Sequence, residues 1–144
     1  MIRNKNLFYL LSFTWGLPVT LVGCIVAVFL LLTGHKPQKY GYCWYFEVGN
    51  KWGGVNFGPI VLMSQNPSNH TKAHEHGHGI QNCFYGPFMI LIGILSASRY
   101  WYRELKYHRK GLKPPTAYDS MWYESQATKI GTEFIDWYKT IQND

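Results

Sequence analysis

The sequence predicts a membrane protein of the α+β class, in which an N-terminal transmembrane helix precedes a small mixed domain. Two observations predict this class. Residues 7–32 carry no charge, and two aromatic-rich segments around a glycine-rich loop precede a segment with helical spacing of histidines. The 144 residues have a net charge of +6, and only 15% of them are charged while 17% are aromatic. This composition excludes a disordered chain, which requires low hydrophobicity and high charge.

The uncharged run near the N-terminus is long enough to cross a bilayer as one helix. Crossing the hydrocarbon core takes about 20 apolar residues, whereas the apolar stretch of a cleaved signal peptide has about 7–15. We therefore expect residues 7–32 to form a permanent membrane anchor; a buried helix of a soluble protein is the alternative. Gly16 and Pro18 are expected to kink this helix, because Pro removes a backbone donor and crowds the preceding turn.

The middle of the chain predicts two short strands. Residues 40–48 and 55–63 are rich in aromatic and aliphatic side chains, and a loop containing three glycines separates them. We expect the two segments to pair as a small antiparallel β-hairpin. Pro59 indicates that the second strand lies at an edge, because Pro cannot donate to a strand ladder.

A second apolar segment, residues 79–98, is interrupted by Gly86 and Pro87. Its purely apolar part, residues 88–95, is too short to cross a membrane alone. Six Lys and Arg residues follow within 15 positions, interleaved with aromatic residues, which is typical of a cytoplasmic membrane interface rather than a nucleic-acid surface. We expect Gly86 and Pro87 to turn the chain and to leave a short membrane-associated helix; a second crossing is the alternative.

Two further helices are predicted outside the apolar segments. Ser68 or Asn69 can cap a helix that starts after the loop at 65–68. Residues 116–141 contain no Pro and one Gly, and their apolar positions have loosely helical spacing, which predicts a C-terminal helix.

The first of these helices carries His74, Glu75 and His78, which match H-E-x-x-H. Side chains at i and i+4 leave the same helix face, so the two imidazoles can share one Zn²⁺. Glu75 can then act as a general base toward a bound water. Glu124 in the C-terminal helix offers a third ligand, and two His and one Glu with an open fourth position is typical of catalytic zinc sites.

Other residues near the motif have candidate roles. His70 lies one turn before His74 and is the alternative third ligand. Gln81 lies one turn past His78 and can hold a ligand or a substrate by hydrogen bonding. His76 points away from the ligand face, so it is expected to support the site from behind or to lie at the surface.

The C-terminal segment contributes further candidates. Asp119 can hydrogen-bond a ligand imidazole or cap the last helix, and Tyr123 can support the site or contact substrate. An oxyanion stabiliser is not placed by any motif; Tyr123, Tyr118 and His108 are candidates. Ala127 and Thr128 are small enough to let this helix approach the histidine helix closely.

These residues resemble the gluzincin-type zinc metallopeptidases, in which a Glu from a second helix completes an H-E-x-x-H site. The chain is also similar to small bacterial membrane proteins with H-E-x-G-H-x-x-Q followed by Gly-Pro, here from His74 to Pro87, and with W-x-E-x-x-A around Glu124. The resemblance implies a membrane-bound metallopeptidase fold. It also implies that His74, His78 and Glu124 are the zinc ligands and that Glu75 is the base.

The sequence therefore predicts an anchor at residues 1–33 and a metallopeptidase-like domain at residues 34–144, which includes the membrane-associated segment 79–98. We expect an integral protein of the bacterial cytoplasmic membrane that hydrolyses a peptide or protein substrate through a zinc-activated water. Its expected partners are the lipid bilayer and that substrate, with no nucleic acid, and its oligomeric state is left open. The alternatives are a non-enzymatic membrane protein with a structural or sensory metal site, and a membrane scaffold without metal.

Overall fold

The protein has an α+β fold in which a small sheet lies between helices from both ends of the chain. The computed structural model describes residues 2–143, and the side chains of Asp119 and Asn143 lie outside its described part. The helices are α1 (Lys5–Phe13), α2 (Leu17–Leu32), α3 (Asn69–Tyr85), α4 (Met89–Lys106) and α5 (Trp122–Asn143). The strands are β1 (Gln38–Tyr40), β2 (Cys43–Glu47), β3 (Gly54–Phe57) and β4 (Ile60–Met63).

The predicted N-terminal helix is broken into α1 and α2, which are bent by 93° to each other. The break falls at the expected place, since Pro18 lies in the first turn of α2, where its missing N–H costs no hydrogen bond. Asn82 of α3 stabilises the break by donating from Nδ2 to the Gly16 carbonyl and to Thr20. A Cβ at Gly16 would lie 2.3 Å from that nitrogen. The predicted kink at Gly16 and Pro18 is therefore present, and it is sharp enough to divide the expected anchor helix into two.

The second predicted strand folds back on itself as β3 and β4, and the first corresponds to β2 with a further strand, β1, before it, so the sheet has four strands instead of two. The turns between β1 and β2 and between β3 and β4 contain Gly41 and Gly58, whose φ values of 59° and 70° favour glycine. The strand order is β1-β2-β4-β3, and β2 pairs with β4 in parallel. The sheet is therefore mixed, and the prediction of a single antiparallel hairpin is wrong. Pro59 lies in the β3–β4 turn, while β3 itself is an edge strand.

Both faces of the sheet are covered by helices. Successive side chains of a strand point to opposite faces, so each strand contributes to both contacts. Tyr45 and Val61 face the main core with α1, α3 and α5. Phe46 packs on the other face against Ala27 and Leu30 of α2. The sheet consequently holds α2 at a fixed position relative to α3.

The chain reverses direction between α3 and α4. Ser68 caps α3 by accepting from Thr71 N–H, and Gly86, with φ of 54°, ends it. Residues Gly86–Phe88 form one 3₁₀ turn. Glu124 contacts both His78 of α3 and Ser96 of α4, which requires α4 to run back along α3. The predicted turn at Gly86 and Pro87 is therefore present, and α4 continues well beyond the apolar residues 88–95.

The helical run Asn69–Lys110 is long and apolar enough by composition to cross a membrane, and 39% of its most apolar window is buried. The bent pair of α1 and α2 passes the same test only when counted as one span. A core helix of a soluble protein meets this criterion too, and the reversal at Gly86 means that the run is not one straight helix.

α5 packs against α3 at backbone distance. It begins at Trp122, later than the predicted start at 116, because residues Tyr118–Ser120 form a 3₁₀ turn. A Cβ at Gly77 would lie 1.9 Å from the Ala127 carbonyl oxygen, and one at Gly131 would lie 1.8 Å from that of Ala73. The expected close approach at Ala127 is confirmed, and glycines on both helices make it possible.

Candidate metal centre

The two histidines of the motif and Glu124 form one buried group, called here the His–Glu cluster. Glu124 Oε2 lies 3.1 Å from His74 Nε2 and 3.2 Å from His78 Nε2. The two Nε2 atoms are 3.2 Å apart. All three ligand atoms lie within 4.8 Å of one another, so the cluster can hold a metal ion. The residues come from α3 and α5, whose register is set by the glycine contacts described above.

Gln81 fixes the orientation of the His78 ring. Its Nε2 donates to the Tyr123 carbonyl and to Gln126 Oε1, so its Oε1 must face His78. His78 Nδ1, 2.8 Å from that oxygen, therefore carries the proton and donates to it. Nε2 of the same ring points into the cluster at Glu124, and once it carries no proton it can bind a metal there, since Nδ1–H stays held by Gln81. Gln81 thus holds the ring of His78, which is one of the three potential ligands.

The His74 ring has a partner on the opposite side from Glu124. His74 Nδ1 lies 2.8 Å from Thr128 Oγ1, one turn after Glu124 on α5. A hydrogen bond at Nδ1 leaves Nε2 directed at the cluster, as in His78. Thr128, which the sequence indicated only as a small residue, therefore also positions a potential ligand.

Glu124 is held by Ser96, a residue that the sequence analysis missed. Ser96 Oγ donates to Glu124 Oε1, which leaves Oε2 for the two imidazoles. Burial by itself would raise the pKa of Glu124, but hydrogen bonds with His74 and His78 and the contact with Ser96 hold it well below its usual range. Glu124 is accordingly a carboxylate, the form that binds metal. A lone Ser in an apolar stretch offered no motif that could reveal this role.

Tyr118 extends this hydrogen-bond chain. Its hydroxyl lies 2.8 Å from Ser96 Oγ, and because the single Ser96 proton is directed at Glu124, Tyr118 is the donor; it shares its proton with the Ser96 carbonyl oxygen at 3.2 Å. Burial raises the pKa of Tyr118 to about 12, so the hydroxyl keeps its proton. Arg99 and Arg103 lie over the Tyr118 ring, at 5.9 and 5.8 Å from its centroid. They also donate to carbonyls of residues 116–118, which fixes the segment before α5 against α4.

Glu75 shares a cavity with the His–Glu cluster. The cavity has a volume of about 650 Å³, lies between α3, α4 and β3, and is lined by both groups. Glu75 is buried, and among the described residues its Oε2 has no hydrogen-bond partner. Gly54 makes room for it, since a Cβ there would lie 2.6 Å from Glu75 Oε1. An orphaned buried carboxylate oxygen beside three potential ligands is the feature that a general base requires.

The remaining candidates take different places. His70 is exposed and lies outside the His–Glu cluster, although its ring stacks 6.4 Å from that of His74 and lines the cavity. Tyr118 and His108 also line the cavity. Tyr123 instead packs in the core, and its main-chain oxygen is the group that serves the site. The prediction for Asp119 lies outside the described side chains.

His76 is not at the surface. It is 1% exposed, its ring stacks on Phe134 at 4.2 Å, and its Nε2 accepts from Tyr42 N–H. The surface alternative predicted for it is wrong, because α5 and the β1–β2 turn cover this side of α3. His76 therefore lies in the core, on the side of α3 that faces α5 and the β1–β2 turn.

Comparison of the chain with protein-family models, curated proteins and solved structures gives no match. The assignment of a role to this site therefore depends on its geometry and on the motifs that the sequence carries.

Proposed function

We propose that the protein is a membrane-bound zinc metallopeptidase that hydrolyses peptide bonds at the His–Glu cluster. The observation that carries the proposal is Glu75 Oε2, which has no hydrogen-bond partner among the described residues and lies in the same cavity as three converging ligand atoms. A purely structural metal site would not need a free base or a cavity beside it, since structural zinc sites are closed by four protein ligands.

The donor set supports zinc as the metal. Two imidazole nitrogens and one carboxylate oxygen leave a fourth position open, and Gln81 and Thr128 hold the rings as metal ligands are usually held. A bound zinc ion supplies Lewis acidity and lowers the pKa of a water molecule to roughly 7. The residues then have separate roles. The His–Glu cluster binds the zinc ion, and Glu75 Oε2 takes the water proton and passes it to the leaving amine.

The edge strand β3 supports a peptide as the substrate. Along an antiparallel strand, every second residue directs its main-chain N–H and C=O at the neighbouring strand, and the residues between direct theirs away. The Gly53 carbonyl accepts from Ser64 N–H, so Gly53 is directed at the β4 side. By this alternation, Gly54 and Asn56 direct their main-chain groups away from β4, and both residues line the cavity. An extended peptide can add there as a further strand.

The exposed surface supports the membrane location. The outer face of α2 exposes large apolar side chains, with Leu32 at 82%, Phe29 at 64% and Ile25 at 63%. The outer face of α4 is similar, with Ile90, Leu91, Ile94 and Leu95 all exposed. Monomeric soluble proteins rarely expose apolar patches of this extent, whereas a bilayer solvates them. The Lys and Arg residues after the apolar part of α4 favour a cytoplasmic location for that end.

The test compares metal content and hydrolysis in detergent-purified protein loaded with zinc. Wild type should bind about one zinc per chain, as one cluster of this kind requires. Glu124→Ala should lose zinc, whereas the control His70→Ala, altered at the exposed histidine outside the cluster, should keep it. Glu75→Gln should also keep zinc but should lose cleavage of a peptide library read by mass spectrometry.

Three outcomes would contradict the proposal in whole or in part. Cleavage by Glu75→Gln at the wild-type rate would exclude Glu75 as the base. Stoichiometric zinc without cleavage of any library member in wild type would favour the structural or sensory metal site considered from the sequence. A retained zinc in Glu124→Ala together with its loss in His70→Ala would identify His70 as the third ligand instead.

A further inference from the structure

One end of the molecule, called here the apolar end, combines the α1–α2 break with the α3–α4 turn. The two meet because Trp15 Nε1 donates to the Phe84 carbonyl, and a Cβ at Gly86 would lie 2.4 Å from the Trp15 ring. Along the chain, no Asp, Glu, Lys or Arg occurs between Glu75 and Arg99. Large exposed apolar side chains cover this end, namely Phe13, Trp15, Leu17, Phe84, Phe88 and Leu91.

The His–Glu cluster lies at the boundary between the apolar end and the charged remainder. His78 precedes Gly86 by eight residues and Ser96 follows Phe88 by eight, so a rise of 1.5 Å per residue places both about 12 Å from the turn. The hydrocarbon of one leaflet is about 15 Å deep. When the apolar end is immersed in one leaflet, the cluster therefore lies close to the level of the lipid headgroups.

The aromatic residues after Ser96 agree with this depth. Tyr100 and Trp101 line the cavity and are exposed by 41% and 55%. Tyr and Trp are enriched where a membrane protein passes the headgroup region, since their rings have an apolar body and a polar edge. The cavity mouth thus faces the lipid–water interface and not the bulk solvent.

The cavity itself changes from apolar to cationic along α4. Met89 and Ile92 line it toward the apolar end, and Arg103 and His108 line it at the other end. The His–Glu cluster and Ser96 lie between. From Met89 to Arg103, α4 rises about 21 Å, which corresponds to roughly six residues of extended chain. A chain that fills the cavity is therefore apolar on one side of the cluster and polar or acidic on the other.

We propose that the cavity takes the juxtamembrane segment of a membrane-anchored polypeptide. The residues that have just left the hydrocarbon lie against Met89 and Ile92, and the polar residues that follow extend toward Arg103. This inference rests on the proposed function of the same cavity and names its substrate class. The inference predicts different affinities for the same segment in three settings. The segment is anchored beside the membrane in the first, anchored but held away from the membrane in the second, and free in solution in the third.

The experiment measures binding to zinc-loaded Glu75→Gln protein in nanodiscs, so that no probe is consumed. The first probe is a single transmembrane helix of about 20 residues followed directly by a degenerate juxtamembrane segment. The second inserts about 20 Gly and Ser residues between the two, and the third is the segment alone. The first two probes have the same membrane concentration, so their difference reports position. We expect the first probe to bind about tenfold more tightly than the second, because burial of one apolar side chain in the cavity raises affinity by about that factor.

Gly93 provides a variant that fills the cavity. It lines the cavity, and a Cβ there meets no atom within 4 Å, so Gly93→Phe can be accommodated while its ring occupies the apolar half. It should abolish the preference for the first probe, and Ala97→Phe serves as a second variant if Gly93→Phe does not fold. Ile94→Phe, at a neighbouring exposed position outside the cavity, is the matched control and should keep the preference.

Equal binding of the first two probes overturns the substrate class, as does a preference that survives Gly93→Phe and Ala97→Phe. Either result would leave the peptidase proposal standing if wild type cleaves the free segment. The reverse failure is also distinguishable: a first probe that binds preferentially in the cavity but is not cleaved by zinc-loaded wild type refutes the peptidase proposal alone.

Discussion

Gly77→Ala tests whether the close approach of α3 and α5 builds the metal centre. The added Cβ would lie 1.9 Å from the Ala127 carbonyl oxygen, a backbone atom that cannot rotate away. Real Cβ contacts are essentially never shorter than 3.0 Å, so the two helices must separate by about 1.1 Å at this point. Ala127 is one turn after Glu124, so the displacement carries the carboxylate away from both imidazoles.

The expected magnitudes follow from this shift. Metal–ligand distances tolerate only about 0.2 Å, and loss of ligand positioning costs about 10- to 100-fold in metal affinity. Overpacking of a tight contact lowers the free energy of unfolding by about 1–3 kcal/mol. Gly131→Ala, whose Cβ would lie 1.8 Å from the Ala73 carbonyl oxygen, should destabilise the same interface farther from the cluster.

The assay is competition with a chromogenic zinc chelator, combined with thermal unfolding in detergent. Gly93→Ala is the matched control, because it adds the same methyl group to a helix where no atom lies within 4 Å. It should keep zinc affinity and stabilise the protein by about 0.5–1 kcal/mol. Wild-type zinc affinity and an unchanged melting temperature in Gly77→Ala would refute the reasoning, since the helices could then separate without effect on the site.

Three further predictions test the surroundings of the site. Ser96→Ala should weaken zinc binding about 10-fold or more in the chelator competition. Among the described residues, Ser96 is the only hydrogen-bond donor to Glu124 besides the two imidazoles. Ser98→Ala, at an exposed position, should leave zinc binding unchanged. Zinc at a free concentration of 100 times its Kd should raise the free energy of unfolding by about 2.7 kcal/mol relative to the metal-free protein. Complete unfolding of the chain by a chelator would instead show that the core depends on the metal. Alkaline carbonate should leave the protein in the membrane pellet, because the exposed faces of α2 and α4 need lipid; its release would contradict the membrane location.

Local features of the chain could be predicted because their causes are local. The i, i+4 spacing of His74 and His78 requires only a helix, and Ser68 supplies its cap. The chain breaks near Pro18 and turns at Gly86 for reasons that lie in the backbone chemistry of these residues. The proximity of Glu124 to the histidines could be predicted for two reasons. The motif requires a third ligand, and the small residues Ala127 and Thr128 let the helix of Glu124 approach closely.

The sheet could not be predicted in the same way. Residues 40–48 and 55–63 each look like one strand, and only the tertiary structure decides that Gly58 divides the second into a hairpin and that Gly41 joins the first to a preceding strand. The parallel pairing of β2 with β4 joins residues that are distant along the chain, so no local pattern records it. The burial of His76 has the same origin, since Phe134 of α5 and Tyr42 cover it.

The sequence by itself determined the histidine pair on one face of α3, the glutamate beside it and the apolar segments, because each depends on the spacing of neighbours along one helix. Only the tertiary structure decided that Ser96 on α4 joins Glu124, and that Gln81 and Thr128 orient the two rings. These contacts depend on the register between helices, which the backbone contacts of Gly77 and Gly131 set to within a fraction of an ångström. Such a register is a property of packed surfaces and has no periodic signal along the chain.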